Sequence, residues 1–324
     1  MSVTTAPDAT SVAEELWDLL DAAHLAPSSY NTQPWRFRVG PGRIDVFADI
    51  DRWVPIADDD RRELHLSLGC AIETLLVAAE HHGLGHQVAF FPRPGRLELV
   101  ATVRFHAHGL RSPHRLSALF NAIAARQTNH GSFDGRPVDE SILAELRRYV
   151  TDAGVDLYTS SDAAVLDSVS KLVEHGDRLA YADPDFRAEL SQCIARGAFG
   201  TPRLVRPIAR LAIKHADLGR SVGERNRRRM LSSGAIAVIV SVTDDPATRI
   251  VAGQAVQRVW LLATHLGLAV QPMSQPLEEP RLRRSLGSII GATHACPQHL
   301  FRLGYAPREE RRSPRRSVME VVAD

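Results

Sequence analysis

The stretch "APSSYNTQPWRF", residues 26–37, carries the reading of this chain. Pro27, Ser28, Ser29, Asn31, Gln33 and Pro34 crowd into one short run that closes on Trp35 and Phe37. Pro, Ser and Asn are ordinary turn formers, and a tryptophan beside them is an ordinary core residue. So many hydroxyl and amide groups next to an indole nevertheless exceed what a plain turn needs. The question is what those donors and acceptors face.

A helix leads into the run. Ser11 and Glu14 have capping-box spacing, Leu16, Leu19, Leu20 and Ala23 share one face, and Pro27 ends the pattern. Residues 1–11 are polar, lack the apolar core of a secretory signal, and are expected to form a disordered tail. Downstream, "WRFRV" and "RIDVFAD" read as strands, 62–82 as a long apolar helix and "LELVATVRF" (97–105) as a strand. A helix over about 113–125 leads into "ARQTNHGSFDGRPV"; Asp139 then caps the helix "DESILAELRRYV", and "VDLYTS" is a strand. Helical patterns fill most of 162–230, followed by the strand "AIAVIVSV" (235–242), a helix over 248–267 and the strand "LFRLGYA" (300–306). The mixture lacks a regular βαβ alternation and predicts an α+β fold, central sheets flanked by helices.

The chain repeats itself faintly. "LGCAIETLLVAAEHHGLG" from Leu68 and "AGQAVQRVWLLATHLGLA" from Ala252 superpose Gly69 on Gly253, Ala71 on Ala255, Ala79 on Ala263, His81 on His265 and Gly83 on Gly267. Two related lobes are expected, each built around one central helix whose small residues permit close packing. The first spans 12–125 and the second 126–324, with a basic helical insertion at about 184–225.

Composition narrows the class. The chain has 324 residues, 44% hydrophobic, with 39 Lys and Arg against 38 acidic residues, so no nucleic-acid partner is expected. Cys70, Cys193 and Cys296 lie far apart, which fits a reducing compartment. "AIAVIVSV" is too short to cross a bilayer, which takes ~20 residues, so a cytoplasmic protein without a membrane partner is expected. "HHGLGH" (81–86) and His106 with His108 lack completing ligands and read as surface histidines, not a metal site. No hydrolase constellation is present, and no catalytic side chain is assigned.

The opening run resembles the P-S-S-x-N-x-Q-P-W signature of the nitroreductase family of flavin proteins, through Pro27, Ser28, Ser29, Asn31, Gln33, Pro34 and Trp35. The resemblance implies an α+β fold that binds FMN between two subunits. Two lobes in one chain make this a fused pseudo-dimer, similar to the Acg-type branch. Further motifs extend the likeness. "ARQTNHGSF" resembles the entry that grips the FMN phosphate, which implies that role for Arg126, Thr128 and His130. "NRRRMLSSGAIAVIV" resembles the segment holding the flavin pyrimidine edge, through Asn226 and Arg229, with Arg where the family has Lys. "QPMSQPLE" matches the turn whose backbone faces flavin N5, through Met273, Ser274 and Gln275. "RRSPRRSVMEV" resembles the basic segment completing the phosphate site, through Arg315 or Arg316.

The lobes are not equivalent. The first has the PSSYNTQPW loop, the second the Arg126 entry, and neither has both. One composite site follows, hence one FMN per chain, with Ser28, Ser29, Asn31 and Gln33 supporting the isoalloxazine. The implied activity passes electrons from NAD(P)H through FMN to a nitro, quinone or similar small aromatic acceptor. The alternative is a flavin-sequestering protein whose lid covers the FMN and leaves little turnover. Residues 203–229 hold nine basic residues against Asp217 and Glu224; lying over an anionic cofactor accounts for them better than nucleic acid or a membrane surface. A pseudo-dimer is compatible with a monomer, and a homodimer stays open.

Overall fold

The computed structural model describes residues 9–107, 109, 112–198, 201–202, 204–309 and 312–323, with side chains from residue 15 onward. Residues 1–8 of the expected N-terminal tail lie outside the described residues; the helix begins at Ala9, inside the stretch read as tail, so Ser11 and Glu14 stand within its first turns and not at its start. The first half runs α1 (Ala9–Ala23), β1 (Trp35–Gly40), β2 (Arg43–Ala48), α2 (Arg62–His81), β3 (Leu84–Phe90), β4 (Leu99–Ala107) and α3 (Ser117–Ala125). The second runs α4 (Glu140–Arg148), β5 (Val155–Ser160), α5 (Ala163–Ala182), α6 (Pro184–Ala195), α7 (Arg206–His215), α8 (Gly219–Leu231), β6 (Ala235–Ser241) and α9 (Pro246–His265). It closes with β7 (Ala269–Pro272), α10 (Gln275–Glu278), α11 (Pro280–Ile289), β8 (Cys296–Gly304) and α12 (Val318–Val321).

Two antiparallel four-stranded sheets result, ordered β1-β2-β4-β3 and β5-β6-β8-β7. The shared order is the structural form of the repeat: each central helix follows the second strand and feeds an edge strand. Local chemistry sets these elements. Along β1, buried Trp35 and Phe37 alternate with exposed Arg36 and Arg38. β6 lies between β5 and β8 and is buried throughout, as its unbroken apolar run requires. Asp245 caps α9, accepting from the Ala247 and Thr248 amides, and Pro246 opens its first turn. Asp139 stands at the start of α4 as expected, but its side chain makes no capping bond.

Sequence reasoning overlooks two strands, β3 and β7. Both are edge strands, and each follows the glycine that ends a central helix, Gly83 (φ 80°) or Gly267 (φ 78°). β3 starts inside "HHGLGH", whose histidines are more engaged than surface residues would be. His81 stacks on Phe120 at 3.9 Å, and His86 meets Glu80 at 2.9 Å. No cluster of three or more potential metal ligands occurs among the described residues.

The lobes join where α2 crosses α9. A Cβ added to Gly69 would lie 2.1 Å from the Ile250 carbonyl oxygen, and one added to Gly253 would lie 2.2 Å from that of Leu66. The contact is reciprocal between repeat-equivalent positions, as at a two-fold interface. Only hydrogen side chains let the backbones approach this closely. Glu73 of α2 lies fully buried beside the crossing, bonded by Arg258 Nε and Arg115 Nε at 2.8 Å each. Burial alone would raise its carboxyl, but Arg115 and Arg258 outweigh that and hold it at about 2. The main apolar core runs from α1 and β1 through this crossing to β8.

Gly253→Ala should therefore lower stability by about 1–3 kcal/mol, the usual cost of overpacking, read as a fall of several degrees in a circular-dichroism melt. An unchanged melting temperature would show that the helices do not meet here.

Candidate functional site

The 26–34 loop folds on its own side chains. Ser28 Oγ accepts from the Gln33 amide at 2.9 Å, Thr32 Oγ1 donates to the Ser29 carbonyl at 3.0 Å, and the Ser29 amide donates to Ser67 Oγ of α2 at 3.2 Å. These bonds hold Tyr30, Asn31 and Gln33 at positive φ (48°, 56° and 51°), a conformation that non-glycine residues adopt at a cost. Trp35 then enters the core, fully buried. Asn31 and Gln33 point elsewhere, to the C-terminal arm. Asn31 Nδ2 donates to the Pro314 carbonyl at 2.9 Å, and Gln33 Oε1 accepts from the Arg316 amide at 2.8 Å.

A cluster of guanidinium groups gathers beside this loop. Arg126 donates to the Leu25 carbonyl at 2.8 Å and lies 4.7 Å above the Trp260 ring. Arg315 donates to the same carbonyl at 3.2 Å and to Asn31 Oδ1, while Arg312 donates to the Ala124 carbonyl at 2.6 Å. Among the described residues none of the three pairs with a carboxylate, and the buried Nε of Arg126 has no hydrogen-bond partner. Burial, with Arg315 close by, pushes Arg126 down to about 9. Burial and Arg312 push Arg315 down to about 10. Guanidinium groups keep their proton, so both shifts describe cations held where an anion would stabilise them. Arg316 is differently placed: it reaches Asp49 at 3.3 Å and the Gln33 and Trp35 carbonyls, tying the arm to β1. Thr128 lies half-buried between Arg126 and the buried Asn129.

A second group of predicted residues meets at the end of the second sheet. Asn226 Nδ2 donates to Asp177 of α5 at 2.9 Å, and Arg229 donates to Asn226 Oδ1 at 3.2 Å. Gln275 also bonds the Asp177 carboxyl, which burial raises to about 6 against the pull of those two amides. His130 Nδ1 lies 3.1 Å from Gln271 Nε2, whose Oε1 accepts from buried Arg302 at 2.8 Å. Arg302 also donates to the Arg229 and Asn129 carbonyls and lies 3.8 Å above the Phe133 ring. Burial and Arg229 push it down to about 9. Met273 is buried in the second apolar core with its amide on the Leu300 carbonyl, and Ser274 and Gln275 open α10.

The inserted helices cover the loop. Phe186 and Leu190 of α6 pack with Val54 and Ala57 of the first half, and Glu189 accepts from the Ile56 and Ala57 amides at 3.2 and 2.9 Å. Phe186 stands edge-on to Tyr30, whose hydroxyl donates to Glu278 at 3.3 Å. Burial, and then Glu63, raise the Glu278 carboxyl to about 8.

Comparison with known proteins decides the family. "Putative NAD(P)H nitroreductase Rv3131" of Mycobacterium tuberculosis is 30% identical over 321 residues, 96% of this chain and 91% of the relative. The chain belongs to the nitroreductase family. A second relative from that organism, "Putative NAD(P)H nitroreductase acg", is 29% identical over 97% of both chains. The structure of "a putative nitroreductase" from Anabaena variabilis superposes over 94% of this chain and 90% of its own, with a TM-score of 0.55 at 10% identity, and shares the fold. No family model matches the chain.

Within this chain, sequence reasoning misses Asp177, Gln271, Arg302 and Arg312. Asp177 comes from a helix without a motif. Arg302 carries a signal, a lone cation inside "LFRLGY", where only a polar partner could justify its burial. The lobes differ at the matching place. β3 pairs Gln87 with Arg104, and β7 pairs Gln271 with Arg302, so Gln87 corresponds to Gln271, as the repeat of Gly83 and Gly267 also has it. Gln87 and Arg104 are exposed, whereas Gln271 and Arg302 are buried, with Gln271 facing both Arg302 and His130.

Asp177 yields a prediction with a definite sign. Its folded value of about 6 exceeds the ordinary carboxyl value of about 3.9, so it weakens the fold as pH rises from about 4 through 6. Asp177→Asn keeps an acceptor for Asn226 and removes that charge. The cofactor-free variant should gain up to about 2 kcal/mol at pH 7.5 and nothing at pH 4 in denaturant titrations. A loss at pH 7.5 would contradict the assignment.

Proposed function

We propose that the chain binds one FMN in the cleft between the 26–34 loop and the second sheet. The arginine cluster at Leu25 carries this reading: three guanidinium groups without a carboxylate among the described residues, one with an orphaned buried Nε. Such a set fits a phosphate dianion, which guanidinium groups bind through paired charge-assisted bonds. Arg126, Arg315 and Arg312 would hold the phosphate, with Thr128 beside them. Asn226 and Arg229 would face the pyrimidine edge, with Asp177 and Gln275 fixing the amide, and Ser274 would stand at the N5 side. Ser28 and Ser29 shape the loop, while Asn31 and Gln33 lock the arm that delivers Arg315. Arg302 would add positive charge at that end, beside His130, whose proton affinity burial and Arg229 lower. When bound, FMN supplies the two-electron chemistry, taking hydride from NAD(P)H, the donor in the relatives' names, and passing electrons to a nitro or quinone-type acceptor. The protein's part is to position, exclude water and stabilise charge.

One observation favours the second reading, flavin storage. α6 lies against Tyr30 and is pinned by Glu189, so the insertion covers the loop where a nicotinamide would enter. Stopped-flow mixing of the anaerobic FMN-loaded protein with NADPH or NADH separates the two. Rapid bleaching of the flavin band supports the reductase; reduction by dithionite alone supports storage.

Arg126→Ala should lower FMN affinity by roughly 1.5–3 kcal/mol, the worth of one charged hydrogen bond, with little change in the melt of the cofactor-free protein. Full flavin retention through gel filtration would remove Arg126 from the site.

A further inference from the structure

A cover for the cofactor explains the inner face of α7 but not its outer one. Ala209 and Ile213 pack inward onto the α6 cluster. Ile208 and Leu211, one turn apart on α7, point outward and are 74% and 63% exposed, and Leu204, in the turn that leads into the helix, is 93% exposed. Arg210 and Lys214 lie along one side of that apolar group, exposed, and neither forms an ion pair among the described residues. Scattered exposed apolar residues need no account, whereas a contiguous group at one helix does.

The composition of this face identifies its occupant. Apolar side chains beside unpaired cations match a surface that is apolar inside and anionic at its boundary. A second copy meeting this face about a two-fold axis would set Arg210 and Lys214 against their own counterparts, which like-charge repulsion opposes. A nucleic acid would leave the three aliphatic side chains unused. We propose that α7 docks the protein on anionic lipid membranes, with Leu204, Ile208 and Leu211 entering the acyl boundary and Arg210 and Lys214 on the headgroups. The binding is peripheral and reversible: no helix among the described residues is long and apolar enough to span a bilayer. Docking would place the helices that cover the 26–34 loop against the bilayer. The inference does not depend on the flavin reading, because it uses none of that site's residues.

The test is flotation of the full-length protein with phosphatidylcholine vesicles, with and without phosphatidylglycerol. Binding should need phosphatidylglycerol and weaken with salt. Each cation near the surface contributes roughly fivefold, so R210E/K214E should reduce partitioning by more than about tenfold. I208Q/L211Q should also reduce it, while the exposed position of both residues leaves the thermal melt unchanged. Equal or absent binding to both vesicle types, or insensitivity to both variants, would overturn the proposal. So would analytical ultracentrifugation showing a dimer that I208Q/L211Q dissolves, or salt-sensitive DNA binding that R210E/K214E abolishes.

Discussion

The approach of α2 to α9 at Gly69 and Gly253 is the constraint on which the rest of the structure depends. Two helices whose backbones nearly touch leave no room for relative sliding, so each sheet is fixed against the other through the helix it carries. The reciprocal geometry, Gly69 on Ile250 and Gly253 on Leu66, is that of a two-fold dimer interface built within one chain. Buried Glu73 adds directionality, since its two arginine partners come from α9 and from the segment before α3. Loop 26–34 begins beside one end of this crossing, bonded to α2 through Ser67, and Arg126 lies over Trp260 of α9.

Symmetry of scaffold does not carry over to the site. The second lobe holds the long insertion α5–α8, the amide cluster around Asp177 and the buried Arg302. In the first lobe the pair equivalent to Gln271 and Arg302, Gln87 with Arg104, is exposed. The C-terminal arm then crosses between lobes: Glu309 meets the His130 and Gly131 amides, Arg315 meets Leu25, and Val322 bridges to Phe37 of β1. The cations Arg126, Arg312 and Arg315 of the second half are thus seated on the Leu25 and Ala124 carbonyls of the first, and the reading of a single cofactor per chain rests on that division.

The sequence shows the fold through a few strong signals: the apolar run of β6, the repeated central helices and the matched Gly-Leu pairs that end them. The edge strands β3 and β7 escape because four to seven residues with glycine, histidine or proline give no alternation to read. Motif likeness selects Arg126, which the structure seats on the Leu25 carbonyl, and Asn226 and Arg229, which it joins to each other and to Asp177. It does not distinguish Arg315 from Arg316, since only packing shows that Arg316 is neutralised by Asp49. It also gives no hint of Asp177 or Arg302, whose importance comes from burial and partners far away in the chain. The answer to the opening question is divided. Ser28 and Thr32 brace a loop held at positive φ, while Asn31 and Gln33 anchor the arm that brings a cation to Leu25.

The most direct test of the central claim is an equilibrium titration of the cofactor-free protein with FMN and, separately, with riboflavin, followed by quenching of flavin fluorescence. A single phosphate-holding site shared by the lobes predicts saturation at one FMN per chain, with riboflavin, which lacks the phosphate, binding far more weakly. Two FMN per chain, or riboflavin binding as tightly as FMN, would contradict it.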